Sequence, residues 1–143
     1  MMKKMNYKII GKYIKNLKFS IPSSKSFFLL SKNISNYKIN IDIKSNQVDK
    51  NIVEVTLTLS LIPIKNDFEK IDTKIEFSTV IQLTDSSISK DEIEKVVLIS
   101  VPTEVYAELR KIFIGLFENS GFKDVKINEN VDFEKLYNSN RIQ

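Results

Sequence analysis

The chain has 143 residues, 42% hydrophobic and 28% charged, with 22 basic against 18 acidic side chains and a net charge of +4. This balance is globular rather than disordered, and the length suits one domain of about 100–150 residues. Cysteine and histidine are absent, which excludes disulfides, thiol nucleophiles and thiolate metal sites, and removes the usual base and metal ligand near neutral pH.

Gly11, Gly115 and Gly121 are the only glycines, too few for a phosphate-cradling loop. The positive charge is lysine except for Arg110 and Arg141. Bidentate readout of phosphate or guanine favours arginine, so nucleic acid is not an expected partner. Lys3, Lys4, Lys8, Lys12, Lys15 and Lys18 read as a solvated end, and residues 1–11 as a flexible N-terminal segment. Ile9 and Ile10 are too short a run for a secretory signal. No apolar run approaches the ~20 residues of a membrane span. The expected location is the cytoplasm, without membrane insertion.

In chain order, Leu17, Phe19 and Ile21 alternate with Asn16, Lys18 and Ser20, the period of a half-buried strand, and Pro22 ends it. Ser23–Asn36 reads as a connection around four consecutive apolar residues, Phe27, Phe28, Leu29 and Leu30. Such a run is either a core plug or a binding surface. Tyr37, Ile39, Ile41 and Ile43 predict a second strand, and Ser45–Asn51 a turn. Val53, Val55, Leu57, Leu59 and Leu61 form the clearest strand, with a turn after Pro63. Ile71, Thr73, Ile75, Phe77 and Thr79 predict the fourth.

Ser89 and Glu92 fit a capping box, with Ile93, Val96 and Val97 on one stripe. Val105, Leu109, Ile112, Phe113, Leu116 and Phe117 follow helical spacing across Thr103–Ser120, and Gly121 provides the stop. Asp132 can cap a short last helix bearing Phe133, Leu136 and Tyr137, with 138–143 as a tail. Strands first and helices after predict an α+β domain spanning 1–143, its four-stranded antiparallel sheet covered on one face by a long and a short helix.

Lys12-Tyr13-Ile14-Lys15-Asn16-Leu17-Lys18-Phe19-Ser20-Ile21-Pro22 resembles the first strand of the SecB export chaperones. Val53–Leu59 is similar to that family's central strand, Pro102–Arg110 to the start of its long helix, and Ser120-Gly121-Phe122 to its helix stop. Val131-Asp132-Phe133-Glu134-Lys135-Leu136-Tyr137 resembles its C-terminal signature. The ordered set covers Lys12 to Tyr137 and implies a homotetramer, a dimer of dimers, that holds unfolded precursor polypeptides in the cytoplasm without ATP and hands them to SecA.

The resemblance puts client binding at Phe27, Phe28, Leu29, Leu30, Phe122 and Val125. Tyr106, Phe113 and Ile114 are candidates for a subunit interface: Tyr106 and Ile114 widen the apolar sector of the long helix, while Phe113 lies on its core stripe. The SecA-facing positions correspond to Asn16, Ser20, Asp72 and Lys74, of which one is acidic. A solitary SecB-like protein serving a single client, such as an antitoxin or a secretion factor, is the alternative. Asp85, Asp91, Glu92 and Glu94 read as helix-start acids rather than a metal site. No catalytic set, cofactor or metal is expected.

Overall fold

The computed structural model describes residues 6–33, 37–63, 72–85, 87–122, 125 and 127–142. Four strands, β1 (Tyr7–Ser20), β2 (Tyr37–Asp49), β3 (Ile52–Pro63) and β4 (Asp72–Leu83), form one antiparallel sheet in the order β1-β4-β3-β2. Helix α1 (Ser24–Asn33) links the two edge strands. A continuous helical stretch then runs through α2 (Lys90–Lys95), a π turn (Val96–Ser100) and α3 (Val101–Asn119), and α4 (Phe133–Ile142) closes the chain.

The alternating residues behave as their period predicts. Val55, Leu57, Leu59, Ile75, Phe77 and Ile81 face the helices and are buried. Val105, Leu109, Phe113 and Phe117 of α3 pack on them. Ser89 caps α2, its Oγ accepting the Glu92 N–H at 3.2 Å. Asp132 caps α4 by accepting the Lys135 N–H at 3.0 Å.

Several boundaries differ from the sequence reading. β1 takes in residues 7–11, because Tyr7, Lys8 and Ile9 continue the ladder with Leu83, Gln82 and Ile81. Two bulges, between Ile9 and Gly11 and between Ile14 and Asn16, let this long strand keep Tyr7, Ile9, Ile14, Leu17 and Phe19 on the helix side. Tyr7 donates to the Glu104 carboxylate at 2.6 Å and Lys12 pairs with Glu108 at 3.1 Å, tying β1 along α3. Burial, helped by Glu104, pushes the Tyr7 phenol well above its ordinary pKa, so it stays a donor.

β2 continues through the expected turn to Asp49, pairing Ser45, Asn46 and Gln47 with Val55, Glu54 and Val53. The true turn is Lys50-Asn51, with Asn51 at φ 63°. Ladder pairing thus outweighs the turn propensity of these polar residues. The connection after β1 contains helix α1, and α4 extends through the expected tail to Ile142. The turn after Pro63 and the start of the fourth strand at Ile71 lie outside the described residues.

The opposite sheet face is polar. Thr56 and Ser78 share a buried hydrogen bond of 2.9 Å. Glu54, largely shielded, accepts from the Tyr13 hydroxyl and from Lys15 Nζ at 3.0 Å. These donors, Tyr13 first, hold its carboxyl below the ordinary glutamate range. The folded carboxylate therefore contributes stability that is complete above the unfolded value of ~4.3 and is lost as pH falls through the lower folded value. We expect Glu54→Gln to destabilise the protein most at neutral pH, with the gap to the unsubstituted chain closing in acid; urea melts across the acid range measure this.

Helix α3 ends in a Schellman turn. Phe122 N–H reaches the Phe117 carbonyl at 3.0 Å, Gly121 N–H reaches that of Glu118 at 3.2 Å, and Gly121 adopts φ 95°. A Cβ at Gly121 would meet the Phe27 ring at 3.4 Å. Gly121→Ala should cost about 1–2 kcal/mol. Gly115→Ala, inside α3 with nothing within 4 Å, should stabilise by up to about 1 kcal/mol. Thermal melts of the two variants should move in opposite directions.

Candidate functional site

Ser23 starts helix α1. Its Oγ accepts the Ser26 N–H at 3.1 Å and its carbonyl the Phe27 N–H at 3.0 Å. Helical geometry then splits the four apolar residues that a loop would have kept together. Leu30 is fully buried. Phe27 is half-buried, its ring 4.8 Å from that of Phe122. Phe28 is 64% exposed and Leu29 43%.

The Gly121 turn aims Phe122 inward, where it meets Phe117 at 5.6 Å, and Phe117 meets Phe19 at 5.1 Å. Half-buried Val125 packs against the same core. Phe27, Leu30, Phe122 and Val125 therefore converge on one aromatic cluster, in which Leu30 and Phe122 are buried core residues, a correction to their expected place on a client surface. Phe28 and Leu29 present an apolar surface beside it.

A second feature was not found from the sequence. A groove of about 320 Å³ lies between β2, the α2–π stretch and α4. Ile41, Ile43, Leu98, Phe133, Leu136 and Tyr137 line it with Glu94, and Asp42 borders it on β2, its side chain alternating to the polar face opposite Thr58. This volume lies at the lower end of small-ligand pockets, enough for one or two large side chains. It borders β2, an edge strand with one row of backbone groups unpaired within the sheet. The sequence signal was present in Ile41, Ile43 and Leu136, but recognising a groove required knowing that β2 is an edge.

Two of the three interface candidates lie inside the subunit. Tyr106 and Phe113 are buried within the subunit, which corrects the expectation that they face a partner. Tyr106 packs on Phe133 with ring centroids 5.9 Å apart and donates to the Asn128 carbonyl at 2.8 Å. Ile114 is half-buried. A run of exposed apolar residues lies instead on β1: Ile10, Tyr13, Ile14 and Leu17. Ile14 and Leu17 pair with the core residues Phe77 and Ile75, so they belong to the helix side yet remain uncovered at the edge.

Asn16, Ser20 and Lys74 lie on the polar face, and Asp72 holds the register position opposite Ser20. Lys74 is paired with Glu76 at 3.3 Å and stands opposite Lys18. Asp91 pairs with Lys95 at 3.5 Å at the start of the helical stretch. Among the described residues no cluster of three or more acidic side chains could hold a metal ion, and no helix is long and apolar enough to cross a membrane.

The family described as "Preprotein translocase subunit SecB" matches residues 2–143. A putative protein-export protein SecB from Pelagibacter ubique is 33% identical over 132 residues, covering 92% of this chain and 94% of the relative. Protein-export protein SecB from Rhodospirillum rubrum is 27% identical over 135 residues, covering 94% of this chain and 81% of that one. A SecB-like chaperone from Mycobacterium tuberculosis, solved in complex with a ChAD peptide from the HigA1 antitoxin, shares the fold with a TM-score of 0.65 over 88% of each chain at 9% identity. With its four-stranded antiparallel sheet, long helix and short C-terminal helix, the chain belongs to the SecB family of protein-export chaperones.

Proposed function

We propose that this protein is an ATP-independent holdase that binds extended segments of unfolded polypeptides, chiefly in the groove along β2 and secondarily on the α1 surface of Phe28 and Leu29. The observation that carries this reading is the groove itself: an apolar trough beside an open strand edge. A client strand can add its backbone hydrogen bonds to β2 while its apolar side chains enter the trough. The peptide bound to the M. tuberculosis chaperone supports the same class of ligand.

Magnitudes favour several weak sites. Burying one large apolar side chain contributes about 1.5–3 kcal/mol. A groove of this size takes one or two, which barely offsets an association cost of at least ~4 kcal/mol. Useful affinity therefore needs both surfaces, and several subunits holding one chain raise it further through effective concentration. The dimer of dimers belongs to this proposal, with the β1 edge as its first contact. A second copy would cover Ile10, Ile14 and Leu17 and pair the open backbone edge.

SecA is the recipient that the family suggests, in the cytoplasm. The polar face offers it Asn16, Ser20 and a Glu76-paired Lys74, with Asp72 by register, so docking that relies on a negative field is weak here. The same observation favours a second reading, a protein dedicated to one client such as an antitoxin or secretion factor. Client breadth separates the two. A holdase suppresses aggregation of unrelated unfolded proteins; a dedicated partner suppresses only its own.

Phe28→Ser with Leu29→Ser, or Leu136→Ser in the groove, should weaken aggregation suppression while changing stability by no more than about 1 kcal/mol, because all three side chains are exposed. Leu30→Ser should instead destabilise by several kcal/mol, on the order of 2–5. Aggregation assays read beside thermal melts test this, and unchanged suppression in both exposed variants would contradict the reading. Light scattering should give a tetramer for the unsubstituted chain. Ile14→Lys with Leu17→Lys should release smaller species. A monomer without substitution at micromolar concentration would refute the assembly.

A further inference from the structure

The helical stretch from Lys90 to Asn119 changes pitch once, at the π turn Val96–Ser100. There the Val101 N–H bonds the Val96 carbonyl, five residues back. Pro102 follows immediately, buried. In an uninterrupted α-helix a proline at this position lacks the N–H for the Leu98 carbonyl, and its ring crowds that oxygen. A wider turn relieves the clash, and the Thr103 hydroxyl satisfies the Ile99 carbonyl at 2.6 Å.

The wider turn decides which side chains point where. In an α-helix the residues stacked beneath Val101 are those three and four back, Leu98 and Val97. A π turn inserts one residue and rotates everything upstream by about 100°. Val96 and Val97 then occupy the core beside fully buried Val101. Leu98 moves to the margin of that core, half-buried against it, and forms with Glu94 the helical wall of the groove facing Ile41 and Ile43.

We infer that Pro102 is the positioning residue of the groove: by enforcing the π turn it seats Val96 inside the core and holds Leu98 at its margin, and so builds the trough that accepts the client's apolar side chains. Pro102 does not line the groove and acts only through Leu98 and Glu94. The inference rests on the client-binding reading given above, but its structural half can be tested without any client.

The absence of cysteine makes single thiol probes clean. Thiols are introduced by Leu98→Cys or Val96→Cys, each with and without Pro102→Ala, and labelled with a maleimide. With Pro102 present, the thiol at 98 should react and the one at 96 should be protected. Pro102→Ala should invert that order. It should also weaken binding of fluorescein-labelled, carboxymethylated α-lactalbumin by about tenfold, the effect of losing ~1.4 kcal/mol. Leu98→Ser, which leaves the turn intact, should weaken binding comparably.

Unchanged labelling after Pro102→Ala overturns the inference and leaves the groove reading standing. Inverted labelling with undiminished binding also overturns it. If Leu98→Ser, too, binds normally, the groove reading itself falls. Should Pro102→Ala fail to fold, Pro102→Val, which supplies the N–H at nearly the same buried volume, is subjected to the same labelling and the same criteria.

Discussion

The 19-residue helix α3 is the main cover of a four-stranded sheet. An α-helix with its side chains is about 10–12 Å wide, while four strands spaced ~4.8 Å apart span about 14 Å between outer axes, and more with side chains. Helix α3 lies over the centre, where Leu57, Leu59, Ile75 and Phe77 are buried beneath Leu109, Phe113 and Phe117. The helix-side residues of both edge strands are left partly uncovered. Most of the proposed functional surface follows from that mismatch.

The two edges resolve it differently. On β1, bulges keep Ile14 and Leu17 on the apolar side, where no helix reaches them, and the strand presents 14 residues of open ladder. That edge joins exposed apolar side chains to an open ladder, which a second subunit can match. On β2, Ile41 and Ile43 receive partial cover from the α2–π stretch and α4, which stand off far enough to leave a trough. A trough walled mainly by aliphatic and aromatic side chains, with Glu94 and Tyr137 among them, suits apolar segments of many sequences rather than one. The third uncovered region, beside α1, arises because the helix is held mainly through Leu30 and Phe27, leaving Phe28 and Leu29 outside.

What the sequence made legible was local. Alternation at Val53–Leu61, the caps at Ser89 and Asp132 and the stop at Gly121 each depend on neighbours within a few residues, and each appears in the fold. What it hid was relational. Ser45, Asn46 and Gln47 read as a turn because their strand character comes from pairing with β3. Phe27–Leu30 read as one patch because the helix that divides them is short and begins only with the Ser23 cap. Tyr106 and Phe113 read as interface because the number of layers above α3 cannot be counted from its own stripe; Phe133 and the segment at Asn128 fill that space. The groove was invisible until strand order made β2 an edge. The ordered resemblance to SecB carried the family assignment, since no single motif did.

The central claim is that unfolded chains lie in the trough at β2. Methyl-labelled NMR titration with an unfolded polypeptide tests it most directly. The account predicts that the largest changes fall on the methyls of Ile41, Ile43, Leu98 and Leu136, with smaller ones at Leu29. If those methyls stay unmoved with client bound, and the changes cluster instead on Ile62 and Val80 of the polar face, the account is contradicted.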